Sequence, residues 1–133
     1  MNAKKLPLIT FLYDRHAAPT KVALEARINL ARAYAAEQGW PIAGYWLDVG
    51  DDALGDTDRP ALRMLCNTMR SNGQRPMVCL IADWDRLARD PDARTRLRLR
   101  IRDAGGWTAT VDGQDDREPI QTGTILALYR YNS

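Results

Sequence analysis

Six residues have types and positions that suit phosphate chemistry: Arg15, Arg59, Arg86 and Arg89, with Asp48 and Asp85. Arginine presents a planar fork of N–H donors that fits phosphate oxygens two at a time. Several such forks aimed at one place repel one another unless an anion sits among them. A phosphodiester suits that role, because arginine clamps stabilise the charge on a phosphoryl group in transfer. Two other arrangements use the same residues. Each arginine can pair with one of the many nearby aspartates, as surface ion pairs do for little net energy. Alternatively, Asp48, Asp51, Asp52, Asp83 and Asp85 offer the hard oxygen ligands that Mg²⁺ takes, as in a metal-dependent phosphotransfer or receiver-like domain. There the arginines would compete with the cation.

The elements around these residues decide whether they meet. Leu6–Tyr13 is apolar and reads as a buried strand, with Asp14–Pro19 as a loop. Thr20 is placed to cap a helix through its hydroxyl, and Leu24, Ile28, Ala31 and Ala35 follow at helical spacing up to Gly39. Pro41–Leu47 reads as a second strand. Asp48–Asp58 has five Asp and two Gly in eleven residues and reads as a loop. Arg59-Pro60 opens a second helix, whose Leu62, Leu65, Cys66 and Met69 form one apolar stripe. Met77–Ala82 reads as a central strand, apolar on both faces. Asp83–Asp90 leads to a third helix from Pro91, with a stripe of Ala93, Leu97, Ile101 and Ala104. Gly105-Gly106 ends it, Trp107–Val111 is a fourth strand, and the alternation Ile125, Ala127, Tyr129, Tyr131 suggests a fifth.

Alternating strands and helices predict an α/β domain with a mostly parallel sheet of four to five strands flanked by helices. Ligands in such sheets bind beyond the carboxyl ends of the strands. That rule brings Asp14–Thr20, Asp48–Arg59 and Asp83–Asp90 together, and with them all four arginines.

Tyr13-Asp-Arg15, Asp48-Val-Gly50, Arg59-Pro-Ala-Leu62 and Asp85-Arg-Leu-Ala-Arg-Asp90 resemble, in order and spacing, the catalytic domain of serine recombinases, the resolvase/invertase family. Tyr34-Ala-Ala-Glu-Gln-Gly-Trp40 adds to the likeness, which covers roughly residues 7–113. The resemblance implies a resolvase-like three-layer fold. It also implies DNA strand exchange through a 5′-phosphoserine intermediate, with no metal or nucleotide cofactor. Arg15, Arg59, Arg86 and Arg89 would hold the scissile phosphate, and Asp48 and Asp85 would orient those arginines or help move protons.

The chain departs from the family where the chemistry is decided. The family's serine lies two positions after the first motif arginine, and Ala17 stands there. Alanine carries no nucleophilic atom. The two serines of the chain, Ser71 and Ser133, fall at the far end of the second helix and at the last residue. His16 can in principle accept a phosphoryl group, but a loop histidine more often serves as a hydrogen-bonding residue. A second departure follows Asp48, where the family's Ser-Gly pair gives way to the acidic run Gly50-Asp-Asp-Ala-Leu-Gly55. Two separate departures favour natural loss of cleavage over an engineered Ser-to-Ala change.

The expected function is thus a recombinase-like domain, cleavage-inactive, that keeps a phosphate- or DNA-binding or an interaction role. Two readings stand beside it. One is an active site-specific recombinase fragment with an engineered alanine. The other is a structural homodimerisation module using Ile125–Tyr131 as an edge strand.

The 133 residues suit one domain, 1–133, with no segment that reads as a DNA-recognition domain; a protein partner or a longer parent protein would supply that function. Lys and Arg number 19 against 17 Asp and Glu, but the excess is local, with seven Arg and two Asp in residues 86–102. Arg94, Arg98 and Arg102 read as an exposed row that is either a solvated face or a sequence-independent DNA contact. Cys66 and Cys79 read as small core residues. No stretch is apolar enough to span a membrane and no signal peptide is visible, so the expectation is a cytoplasmic protein.

Overall fold

The computed structural model describes residues 7–55, 59–73 and 75–117. The expected fifth strand, Ile125–Tyr131, lies outside the described residues. The chain runs β1 (Ile9–His16), α1 (Val22–Gln38), β2 (Ile42–Val49), α2 (Pro60–Ser71), β3 (Met77–Ile81), α3 (Pro91–Asp103) and β4 (Trp107–Thr110). Short 3₁₀ turns lie at Gly50–Ala53, after β2, and at Trp84–Arg86, after β3.

The four strands form one parallel sheet in the order β2-β1-β3-β4. Chain direction across the sheet reverses at β1: one crossover leads outward to β2, the next back past β1 to β3. A crevice opens at such a switch point, outside the carboxyl ends of the strands. Here those ends belong to β1 and β3, the two strands that lead into the arginine segments.

Each face of the sheet is closed by helices. On one face, α2 and α3 set Leu62, Leu65, Cys66, Met69, Ala93, Leu97 and Ile101 against Phe11, Tyr13, Met77, Cys79 and Ile81. On the other, Ala31 and Ala35 of α1 meet Leu12, Val78, Leu80 and Ala109. The three-layer α/β arrangement expected above is the one observed. Every residue of β3 is buried, as its position between covered faces requires. Cys66 and Cys79 are free and buried, and that burial pushes both thiols up. Among the described residues, no helix is long and apolar enough to cross a membrane.

Four expectations need correction. Asp14, Arg15 and His16 are not loop but the last residues of β1, paired with Leu47, Asp48 and Val49. Asp48 likewise belongs to β2, beyond the expected end at Leu47. A buried strand end tolerates these polar residues because partners across the structure satisfy their charges. Thr20 does not cap α1: Lys21 occupies that position without a side-chain cap, and the Thr20 carbonyl is engaged by His16.

Arg94, Arg98 and Arg102 are half-buried rather than an exposed row. Their guanidiniums reach Asp85, Asp116 and the Asp116 carbonyl respectively, so they fasten loops to α3.

The Gly105-Gly106 turn holds α3 against β4. Gly105 sits at φ +109, and a Cβ on Gly106 would lie 2.8 Å from the Met69 Cε and 3.2 Å from the Met77 carbonyl oxygen. Gly105→Ala should therefore cost about 1–3 kcal/mol of stability from backbone strain. Urea unfolding checks this; a change within a few tenths would show that the turn relaxes freely.

Candidate functional site

Beyond the carboxyl ends of β1 and β3 lies a cavity of about 490 Å³. Its lining comes from the end of β1 and the following loop (Arg15, His16, Ala17, Ala18), from α1 (Ala23, Arg27), from the turn after β2 (Ala53, Leu54) and from the segment after β3 (Arg86, Arg89). Four guanidiniums meet there, and none of the ten lining residues is acidic. Ala17 is part of the wall.

Arg15 and Arg86 are set by backbone carbonyls. Arg15 Nε donates to the Asp85 carbonyl at 2.9 Å, and Arg86 Nη1 donates to the Arg15 carbonyl at 2.9 Å. The strand end and the turn after β3 are thus tied in both directions. Arg86 also lies 3.4 Å from an Asp83 carboxylate oxygen and 3.7 Å from one of Asp14. The expected alternative of arginine–aspartate pairing is therefore partly realised, at Arg86. Arg89 is exposed and borders the cavity.

Arg27 was missed by reasoning from the motifs. It forms a two-pronged pair with the buried Asp14, at 2.8 Å from Nε and 3.1 Å from Nη2. The same Nη2 donates to His16 Nδ1 at 3.0 Å. A signal was present: Arg27 falls between Leu24 and Ala31 on the apolar stripe of α1, where a cation needs a buried acid opposite. Arg27 also orients His16: a guanidinium only donates, so Nδ1 faces a donor, while Nε2 lies against the Thr20 carbonyl. Both imidazole nitrogens are engaged and neither is presented to the cavity as a nucleophile.

Asp48 and Arg59 stand behind the cavity rather than in its wall. Asp48 is 2% exposed. Its carboxylate accepts from the Tyr13 hydroxyl at 2.7 Å and from the backbone N–H groups of Ala61 at 2.7 Å and Leu62 at 3.1 Å. A carboxylate at a helix start satisfies donors that the helix leaves open. Arg59, at the cap position itself, is 1% exposed. Its Nε donates to the Gly55 carbonyl at 2.8 Å and its Nη1 to that of Arg86 at 3.4 Å. Asp85 contributes its carbonyl to Arg15, while its half-exposed carboxylate turns to Arg94 at 3.5 Å. Asp48 and Asp52 line a second, shallower pocket beside the start of α2, while the Asp85 carboxylate turns toward α3. Among the described residues, no three histidine, cysteine, aspartate or glutamate side chains group as metal ligands do.

The fold and the cavity define a three-layer α/β domain with an arginine-lined cavity at the topological switch point. The family model "Resolvase, N terminal domain" matches residues 10–129, and the chain belongs to that family. No curated protein matches the sequence. Solved structures share the fold. One is a resolvase family site-specific recombinase from Streptococcus pneumoniae, with TM-score 0.70 and 20% identity over 93% of this chain and 87% of that one. Another is the N-terminal catalytic domain of TP901-1 integrase, with TM-score 0.68 and 18% identity over 92% of each chain. A third is the C-terminal catalytic domain of ISC1926 TnpA, an IS607-like serine recombinase, with TM-score 0.64 and 24% identity over 79% of this chain and 71% of that one.

Two predictions follow from the Asp48 cluster. Asp48→Ala leaves two helix N–H groups and a phenol without an acceptor and should cost about 2–4 kcal/mol. Chemical denaturation reads this directly, and a loss below about 1 kcal/mol would mean that the α2 start is held by other contacts. Burial, reinforced by the Asp48 carboxylate, holds the Tyr13 phenol far above its ordinary value. The unfolded chain therefore loses this proton above about pH 10 while the native chain keeps it. Stability that is fully present below that pH is lost as the pH rises through it. Tyr13→Phe should flatten the decline relative to the parent, measured as unfolding free energy from pH 9 to 12.

Proposed function

We propose that this chain is a serine-recombinase catalytic domain that binds a backbone phosphate of DNA but does not cleave it. The observation that carries the reading is the wall of the cavity. Four arginines surround Ala17, and no lining residue offers a free nucleophile. Arg15, Arg27, Arg86 and Arg89 supply the donors. Asp48, Arg59 and the Asp85 carbonyl hold the elements that present them. The phosphate would be gripped as in a cleavage reaction and released unchanged, since no atom at position 17 can attack phosphorus.

The domain then acts in the cytoplasm, with homodimerisation open to it. Binding by arginines alone is sequence-independent and weakens steeply with salt.

A fluorescein-labelled 20-base-pair duplex tests the first half. Anisotropy should show binding at 20 mM salt that fades by 200 mM, and Arg89→Ala should weaken it by about three- to tenfold. No binding at low salt would refute the phosphate role. Intact-mass spectrometry tests the second half. The parent chain should form no covalent adduct with a nicked or gapped duplex, whereas Ala17→Ser should form a phosphoserine adduct. An adduct on the parent chain would refute the non-cleaving role, and none on the serine variant would show that the cavity no longer positions phosphorus at residue 17.

A further inference from the structure

The arginines of α3 lead to an unassigned link between the cavity and the chain that follows β4. Residues 111–116 fold back on β4. Asp116 N donates to the Thr108 carbonyl at 3.0 Å, the Thr110 N to that of Gln114 at 2.8 Å, and the Thr108 N to Asp116 Oδ1 at 2.7 Å. The Asp116 side chain is buried and also takes Arg98 Nε at 3.1 Å. Arg98 in turn lays its guanidinium over the Trp84 ring, 4.9 Å from the centroid. Trp84 Nε1 donates to Gln114 Oε1 at 2.6 Å. Trp84 is thus held from two sides by the folded-back segment, through Arg98 and through Gln114.

Trp84 begins the 3₁₀ turn Trp84–Arg86. The next residue offers the carbonyl that anchors Arg15, and the one after donates to the Arg15 carbonyl. A shift of this turn by a fraction of an ångström would change both bonds. The Trp84 carbonyl also caps the turn by accepting from Leu87 N at 2.9 Å and Ala88 N at 3.1 Å, so ring and backbone move as one unit.

We propose that Trp84 is a positioning residue: clamped by Arg98 and Gln114, it sets the Arg15–Arg86 geometry, so that the segment 111–116 controls the anion affinity of the cavity. This rests on the phosphate reading above. A partner that engages the chain beyond β4 would then tune phosphate binding without touching the cavity.

The test uses the full chain with Trp84→Phe, which keeps an aromatic face but removes the N–H donor, and Gln114→Ala, which leaves the core untouched. Two readouts are taken. The first is the Arg15 Nε–H signal in a ¹H–¹⁵N spectrum, recorded without any ligand. Both variants should shift it or speed its exchange with water, while the thermal midpoint stays close to the parent's. The second is affinity for the 20-base-pair duplex, expected to fall about fivefold, the loss of one hydrogen bond's worth of positioning. An unchanged Arg15 signal overturns the proposal whether or not the parent binds duplex. A changed signal with unchanged affinity overturns the control of binding. Failure of the parent chain itself to bind would instead refute the phosphate reading, together with the control of binding.

Discussion

One carboxylate, buried at the end of β2, ties three elements at a single point. Asp48 takes the Tyr13 hydroxyl from β1 and the first free N–H groups of α2. Removing a charge from water is costly unless hydrogen bonds replace those lost. Here three donors do so, and the partial positive charge at the helix start adds to them. The consequence is directional. With α2 seated by Asp48, Arg59 is fixed at its cap, and from there its guanidinium reaches carbonyls on two other segments, Gly55 and Arg86. The turn after β2 and the turn after β3 are therefore both referenced to one anchored arginine.

A second constraint builds on the first. Arg15, Arg59 and Arg86 each spend N–H groups on a carbonyl of a neighbouring active segment: Asp85, Arg86 and Arg15 respectively. Guanidiniums that were only paired with carboxylates would be neutralised and would gain no fixed direction. Carbonyl acceptors leave the positive charge in place while fixing where the fork points. The cavity consequently keeps a cationic lining with no acid in its wall, although aspartates crowd the surrounding sequence. Asp14 and Asp116 are both buried and are spent on Arg27 and Arg98.

The layers, the strand order along the chain and the convergence of Arg15, Arg86 and Arg89 were legible because they rest on periodicity and on a general rule of parallel sheets. Leu62, Leu65, Cys66 and Met69 mark one helix face, and that face is the buried one. Less legible were residues whose polarity argues for solvent but whose partners lie far away in sequence. Asp14 and His16 read as loop because their partner, Arg27, sits across the sheet on α1. Arg98 and Arg102 read as a solvated row because Asp116, which holds them, falls in a stretch with no periodic signal. The burial of Arg59 was equally hidden: its acceptors are backbone carbonyls, and these carry no side-chain signature. In each case the missing information was a tertiary partner that cancels a charge, which local patterning does not encode.

Ala17 has to be weighed against the effort visible around it. A cavity that had merely decayed would be expected to let acidic residues and bulky side chains drift into its wall. Instead its lining is four arginines and four alanines with His16 and Leu54, and acidic residues nearby are turned away from it: Asp48 into the α2 start, Asp85 toward Arg94, Asp14 onto Arg27. Keeping several like charges near one another is unfavourable without a bound anion. The phosphate reading proposed above accounts for an arrangement that bears this cost. His16, the other side chain in this wall with nitrogen to offer, spends both ring nitrogens on Arg27 and the Thr20 carbonyl.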